Sequence, residues 1–347
     1  MALHPFLSPV RPTLTLAVAL FLGSMSLNAC GAANQEDSSS QVGGSSSTDT
    51  SAWTYTDDTD HRIDLKSAPR RIAAFADQAL VLLGYGVEPV AIFGRVDVAS
   101  DPRFEDYDLS DIAIVGDSYG EIDLEALAAA TPDIVVTGIY PTDRKGTLDL
   151  EGPLYGLADA EQQKQVEQLA PIAAIEIGGE GREVIESSTD LAEALGAKHD
   201  RVAEAKREFD EATDTLTEAT GQNPDIEVTQ MYAAADGIYV VKPEDEPETQ
   251  MYQELGVTYT ELNPRGKYYW DEYSWENAEQ MMTGDVLLTN VEGYQGDELS
   301  DQPTFADHPA LEAGQVYPWN GAAMDYSSQA GQILTLAELI DDAQNVR

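Results

Sequence analysis

The chain has 347 residues, 42% of them hydrophobic, which excludes a disordered chain and, at roughly 150 residues per domain, leaves room for about two folded units. Its 63 Asp and Glu against 19 Lys and Arg give a formal net charge of −44, which repels phosphate backbones and anionic headgroups and so excludes nucleic-acid and basic-patch membrane binding. The single cysteine, Cys30, excludes intrachain disulfides and thiolate metal clusters, and the acid-rich, lysine-poor balance suits a protein exposed to salt or to the cell exterior.

Residues 13–29, TLTLAVALFLGSMSLNA, form an uncharged stretch behind the lone positive charge of Arg11. They fall short of the roughly 20 apolar residues that a spanning helix needs, so they predict a secretory signal. The stretch ends in Leu27-Asn28-Ala29-Cys30-Gly31, which resembles the bacterial lipobox; that resemblance implies cleavage before Cys30 and lipidation of this residue. A buried free cysteine behind an ordinary signal is the alternative. Residues 31–51 are rich in Ser, Gly, Asn and Asp without an apolar period, which predicts a flexible tether. The acidic run Asp57-Asp58-Thr59-Asp60 lacks the pattern of a calcium loop and predicts a solvated turn.

From about Ala68 short apolar runs alternate with helical segments, which predicts parallel sheets covered on both faces. Strands are expected at Arg71–Phe75, Val90–Phe93, Ile112–Val115, Ile134–Thr137 and Ile172–Ile177, with helices at Gln78–Leu83 and Leu124–Ala130. A second series follows residue 222, with strands at Ile226–Met231, Ile238–Val241, Thr258–Leu262, Val286–Thr289 and Val316–Pro318. Its helices are expected near Thr249–Leu255, Asn277–Met282 and Gln329–Ala343. Between the two series Val202, Ala205, Phe209, Ala212, Leu216 and Ala219 recur at three- and four-residue steps, so a helix from His199 to Thr220, about 33 Å long, is placed to brace two lobes. An amphipathic helix inside one domain is the alternative. The expected layout is a signal (1–29), a lipidated Cys and tether (30–51), an N-terminal α/β lobe (52–180), a helical region with the interlobe helix (181–221) and a C-terminal α/β lobe (222–347).

Three segments carry a family likeness: Pro69-Arg70-Arg71-Ile72 running on to Leu82-Leu83-Gly84-Tyr85-Gly86-Val87-Glu88-Pro89-Val90; Asp123-Leu124-Glu125-Ala126-Leu127 followed by Thr131-Pro132-Asp133-Ile134-Val135; and Ser274-Trp275-Glu276 followed by Gly284-Asp285-Val286-Leu287-Leu288. In order and spacing they resemble the substrate-binding proteins of bacterial ABC importers for ferric siderophores, haem and cobalamin. The resemblance implies two Rossmann-like α/β lobes with parallel sheets joined by one long helix, no enzymatic activity, a monomeric state, and a permease partner that meets one exposed Glu on each lobe. By motif position these are Glu125 and Glu276, which also sit where a helix dipole favours a carboxylate. Gly284 departs from the pattern, which has Pro there.

Gly116-Asp117-Ser118-Tyr119-Gly120 matches the G-x-S-x-G elbow of serine hydrolases, but helical character resumes only near Asp123, so an extracellular esterase using Ser118 stands as the rival reading. The four His, at 4, 61, 199 and 308, show no metal-ligand spacing, and iron is expected only inside a bound chelate, with no cofactor of the protein's own. Ligands of open parallel sheets lie beyond the carboxyl ends of the strands, which points to Asp77, Arg95, Tyr119, Tyr140 and Arg144 in the first lobe and to Tyr232, Tyr269, Trp270 and Trp319 in the second. Few basic residues stand at strand ends, which favours a neutral or cationic chelate, a ferric hydroxamate siderophore, over an anionic catecholate. Haem, with a Tyr ligand, or a corrinoid is the nearer alternative.

Overall fold

The computed structural model describes residues 52–347 apart from Pro264 and Met282. The expected signal, the lipobox cysteine and the tether lie outside the described residues. The first described element is an antiparallel hairpin of β1 (Trp53–Thr56) and β2 (Arg62–Leu65). Its acidic turn is not the solvated turn that composition predicts. Asp57 is only 5% exposed: its Oδ1 accepts from the backbone N–H of Thr59 and His61, and its Oδ2 from Ala174 N. Asp58 accepts from Glu176 N and Ser187 Oγ. Buried carboxylates are retained where they satisfy backbone donors, and these two fasten the hairpin to the first sheet.

That sheet contains β3 (Ile72–Phe75), β4 (Ala91–Phe93), β5 (Ala113–Gly116), β6 (Ile134–Ile139) and β7 (Ile172–Glu176), all parallel, in the order β5-β4-β3-β6-β7. Helices α1 (Ala76–Gly84), α2 (Leu124–Ala130) and α3 (Ala160–Leu169) connect them. β3 and β6 read as unbroken apolar runs because both faces are covered, and all of their residues are buried. After α4 (Gly181–Ala194) comes α5 (His199–Gln222), 24 residues and about 36 Å long. Its apolar stripe, Val202, Ala205, Phe209, Ala212, Leu216 and Ala219, is buried and packs along α9 (Tyr326–Asp342) at the other end of the chain.

The second sheet is mixed. β8 (Glu227–Ala234), β10 (Thr258–Tyr259), β12 (Val286–Asn290) and β13 (Val316–Trp319) are parallel, while β9 (Gly237–Val241) and β11 (Trp270–Tyr273) add an antiparallel edge. α6 (Pro247–Glu254), α7 (Gly296–Ser300) and α8 (Pro309–Glu312) complete this lobe. The segment expected as a helix near Asn277–Met282 is a 3₁₀ turn, Trp275–Met281, and β10 is shorter than the expected strand. The described residues therefore form two α/β lobes joined by one long helix, and none of their helices is long and apolar enough to cross a membrane.

The two Asp motifs have one physical role. Asp133 Oδ2 accepts from the backbone N–H of Arg70 and Arg71, while its own N–H donates to Arg71 O. In the second lobe Asp285 Oδ2 accepts from Glu227 N, and Asp285 N donates to Glu227 O. Each Asp thus clamps the entry of the strand beside its own. Gly284 replaces the expected Pro because a Cβ at that position would overlap the Thr229 side chain.

Candidate functional site

A cleft of about 500 Å³ lies between the carboxyl ends of the two sheets. The first lobe contributes Asp77 and Gln78 from the start of α1, Arg95 after β4, and Tyr140 after β6. The second contributes Gln230 and Met231 from β8, Asn290 at the end of β12 and Trp319 at the end of β13. Parallel strands end in loops and helix N-termini on one side, so polar side chains collect there without interrupting either core.

Six of the nine sequence-predicted residues line this cleft: Asp77, Arg95, Tyr140, Tyr269, Trp270 and Trp319. The other three do not. Tyr119 is 49% exposed and packs edge-on against Tyr155, which does line the cleft. Tyr232 packs at a tilt against Tyr239, ring centroids 5.7 Å apart, its register partner across the β8–β9 hairpin. Arg144 reaches across to the second lobe, where Nε and Nη2 each donate to the Asp245 carboxylate at 2.7 Å and Nη1 donates to Gly266 O.

Aromatic rings form much of the wall. Tyr140 and Tyr155 have ring centroids 4.6 Å apart, and Tyr269 meets Trp270 at 5.1 Å. Burial pushes the Tyr155 hydroxyl up to about 12, and burial reinforced by Asp77 and Glu246 raises Tyr140 and Tyr269 respectively, so all three remain protonated hydrogen-bond donors at neutral pH. Tyr269 holds a left-handed φ of 71°, with its N–H on Asp245 and its carbonyl accepting from Lys242 N. A strained aromatic residue kept in place at a cleft is typical of a binding wall.

The charges of the cleft are mostly engaged by the protein itself. Arg95 pairs with Glu292 of the opposite lobe. Arg103, which the sequence reading missed, pairs with Asp77 at 2.7 Å and Asp101 at 2.6 Å and reaches toward Gly321 O. Two carboxylates at the start of α6, also missed, line the same cleft without a basic partner among the described residues: Glu246 and Glu248. Glu246 is the N-cap of α6, its Oε2 accepting from Thr249 N, and Glu248 Oε1 accepts from Ala322 N and Gln329 Nε2. Three further polar atoms on residues lining this region have no partner among the described residues: Gln78 Oε1, Gln230 Oε1 and Trp319 Nε1. Buried polar atoms are rarely left unpaired, so a ligand or water is expected at them.

The G-x-S-x-G loop does not form a nucleophile elbow. Ser118 lies in an isolated bridge with Glu121, and α2 begins only at Leu124 behind its Asp123 cap. His199 is bonded to Glu193, and His308 is fully buried as the cap of α8. Glu125 and Glu276 are both exposed, the first in the opening turn of α2 and the second at the start of the 3₁₀ turn, where a Ser274 hydrogen bond lowers its carboxyl.

Among solved structures the chain is similar to a ferric-siderophore receptor protein from Streptomyces coelicolor, at 27% identity over 85% of this chain and 100% of that one, with a TM-score of 0.74. It is also similar to a siderophore periplasmic binding protein from the fuscachelin gene cluster of Thermobifida fusca (23% identity, 78% and 96% covered, TM-score 0.57). A petrobactin-binding protein from Bacillus subtilis shares the fold at 14% identity, with 84% and 99% covered and a TM-score of 0.63. No curated protein matches the chain. The family model described as periplasmic binding protein matches residues 72–323, from the first strand of the first sheet to the cleft wall beside Trp319, and the chain belongs to that family.

Proposed function

We propose that this chain is an extracytoplasmic lipoprotein that captures a ferric siderophore of the hydroxamate type between its lobes and hands it to an ABC import permease. The observation that carries this reading is the interlobe cleft, whose wall combines Tyr140, Tyr155, Tyr269, Trp270 and Trp319 with arginines already matched by carboxylates. Neutral tyrosine hydroxyls and an indole N–H suit the oxygens of a chelate that is greasy at its edges. A strongly anionic complex would need converging free cations, and both arginines of the cleft are paired. The Streptomyces coelicolor relative named above supports a ferric siderophore as the cargo. Iron enters as part of that cargo, and the protein acts by binding and delivery.

Trp319 is 4% exposed at the cleft floor and Trp270 stands on the antiparallel edge, so the two sample separate parts of the wall. Trp319→Ala or Trp270→Ala is expected to weaken binding by about 2 kcal/mol or more, the usual range for an aromatic anchor. Fluorescence titration with a ferric trihydroxamate tests this, and undiminished affinity in both variants would place the ligand elsewhere. For anchoring, Cys30→Ser is expected to shift the protein from the detergent-requiring membrane fraction to the soluble one, since attachment through acyl chains is lost with the thiol and the new amino terminus. Unchanged membrane association in cell fractionation would refute lipidation at Cys30.

A further inference from the structure

The wall of the cleft offers both donors and acceptors. The donors are the hydroxyls of Tyr140 and Tyr155 and Trp319 Nε1, which is unpartnered among the described residues. The acceptors are the carboxylates of Glu246 and Glu248, both from the start of α6, and Gln78 Oε1 and Gln230 Oε1, which are likewise unpartnered there. Gln78 is 7% exposed and Glu248 3% exposed, so neither can count on bulk water. The oxygens of a hydroxamate chelate answer the donors. They leave the acceptors unanswered.

We propose that Glu246 and Glu248 form a subsite that grips a protonated amine carried by the chelate and so select cationic over neutral hydroxamate complexes. This rests on the reading of the cleft as a ferric-siderophore site and goes beyond it by assigning a specificity-determining pair. The two carboxylates share one helix start, and their own hydrogen bonds come only from neutral donors: Thr249 N for Glu246, and Ala322 N and Gln329 Nε2 for Glu248. Neither forms an ion pair among the described residues. Arg103 comes as near as the Gly321 carbonyl, but its guanidinium is held by Asp77 and Asp101. Burial, reinforced by Glu246, pushes the Glu248 carboxyl up to about 8, as expected of a buried acid that has no counter-charge until a cation arrives. An ammonium group supplies three donors and one positive charge, which fits two neighbouring carboxylates.

The test uses two probes that differ only at the amine: the ferric complex of desferrioxamine B, a linear trihydroxamate ending in a primary ammonium, and the ferric complex of its N-acetyl derivative, which is neutral there. The wild-type protein is expected to bind the ammonium form about ten-fold or more tightly, as a charge-assisted hydrogen bond implies. In Glu248→Gln that ratio should fall toward one. Glu246→Gln, at a half-buried cap, should also reduce it, and it carries the test if Glu248→Gln does not fold by thermal melting. Equal affinity of the wild type for the two complexes, or an unchanged ratio in both folded variants, overturns this subsite while leaving the siderophore reading intact. Failure of the wild type to bind either complex overturns the hydroxamate reading and the subsite together.

Discussion

Charge reversal at both Glu125 and Glu276 is expected to reduce uptake of the ferric chelate in cells at least about 100-fold, while ligand affinity and melting temperature stay near their wild-type values. Both side chains are exposed and lie at equivalent places in the two lobes, eight residues before the Asp133 clamp and nine before the Asp285 clamp. Neither lines the cleft. Locally the reversals forfeit only a helix-end interaction at Glu125 and a Ser274 hydrogen bond at Glu276, both at exposed sites where solvent screens the change. If a permease presents arginines to these two Glu, as the family resemblance implies, the same change would turn an attractive contact into a like-charge one, which costs several kcal/mol. Transport of a radiolabelled chelate measures the first effect, and fluorescence titration with thermal melting measures the second. Wild-type transport by Glu125→Arg/Glu276→Arg would remove the docking assignment, as would loss of ligand binding in solution.

The second large effect is expected at Arg144, although it does not line the cleft. Its bidentate pair with Asp245 joins the two lobes, and the Asp245 side chain is only 2% exposed. In Arg144→Ala the carboxylate keeps Tyr269 N as a donor but loses its counter-charge; because the Arg144 side chain is 37% exposed, the cost falls below the ~3–5 kcal/mol of a fully buried pair. The lobes can relieve that cost by parting and admitting water to Asp245, so most of it should surface as lost ligand affinity, about 2–3 kcal/mol or roughly 30- to 150-fold in Kd. Asp245 also positions the strained Tyr269 in the cleft wall, which adds to the effect in the same direction. Arg144→Lys, which keeps the charge and loses the fork, should fall between the two. An unchanged Kd in Arg144→Ala would mean that the contact contributes nothing to holding the lobes around a ligand.

What proved legible in advance was what repeats along the chain at short range. Unbroken apolar runs identified β3 and β6, the stripe from Val202 to Ala219 identified α5, and strand ends located Asp77, Tyr140 and Trp319 on the cleft. The G-x-S-x-G match misled only as a motif, since its structural context failed at the missing helix after Ser118. The acid-rich run Glu244-Asp245-Glu246-Pro247-Glu248 was opaque, because composition alone marks such a run as solvated.

The sequence by itself determined the two α/β lobes, the long helix between them and the strand-end position of the cleft, because each of these follows from periodicities within about 20 residues. Only the tertiary structure decided which charges face the cleft. Arg144 meets Asp245 across 101 positions in the chain, Arg95 meets Glu292 across 197, and Glu248 is covered by a backbone amide 74 positions away. The strength of a charge depends on its burial and on its counter-charge, and both are set by segments that the chain brings together only when it folds. Hence two arginines named as ligand-binding candidates became ties between lobes, and two glutamates that no motif marked became cleft wall.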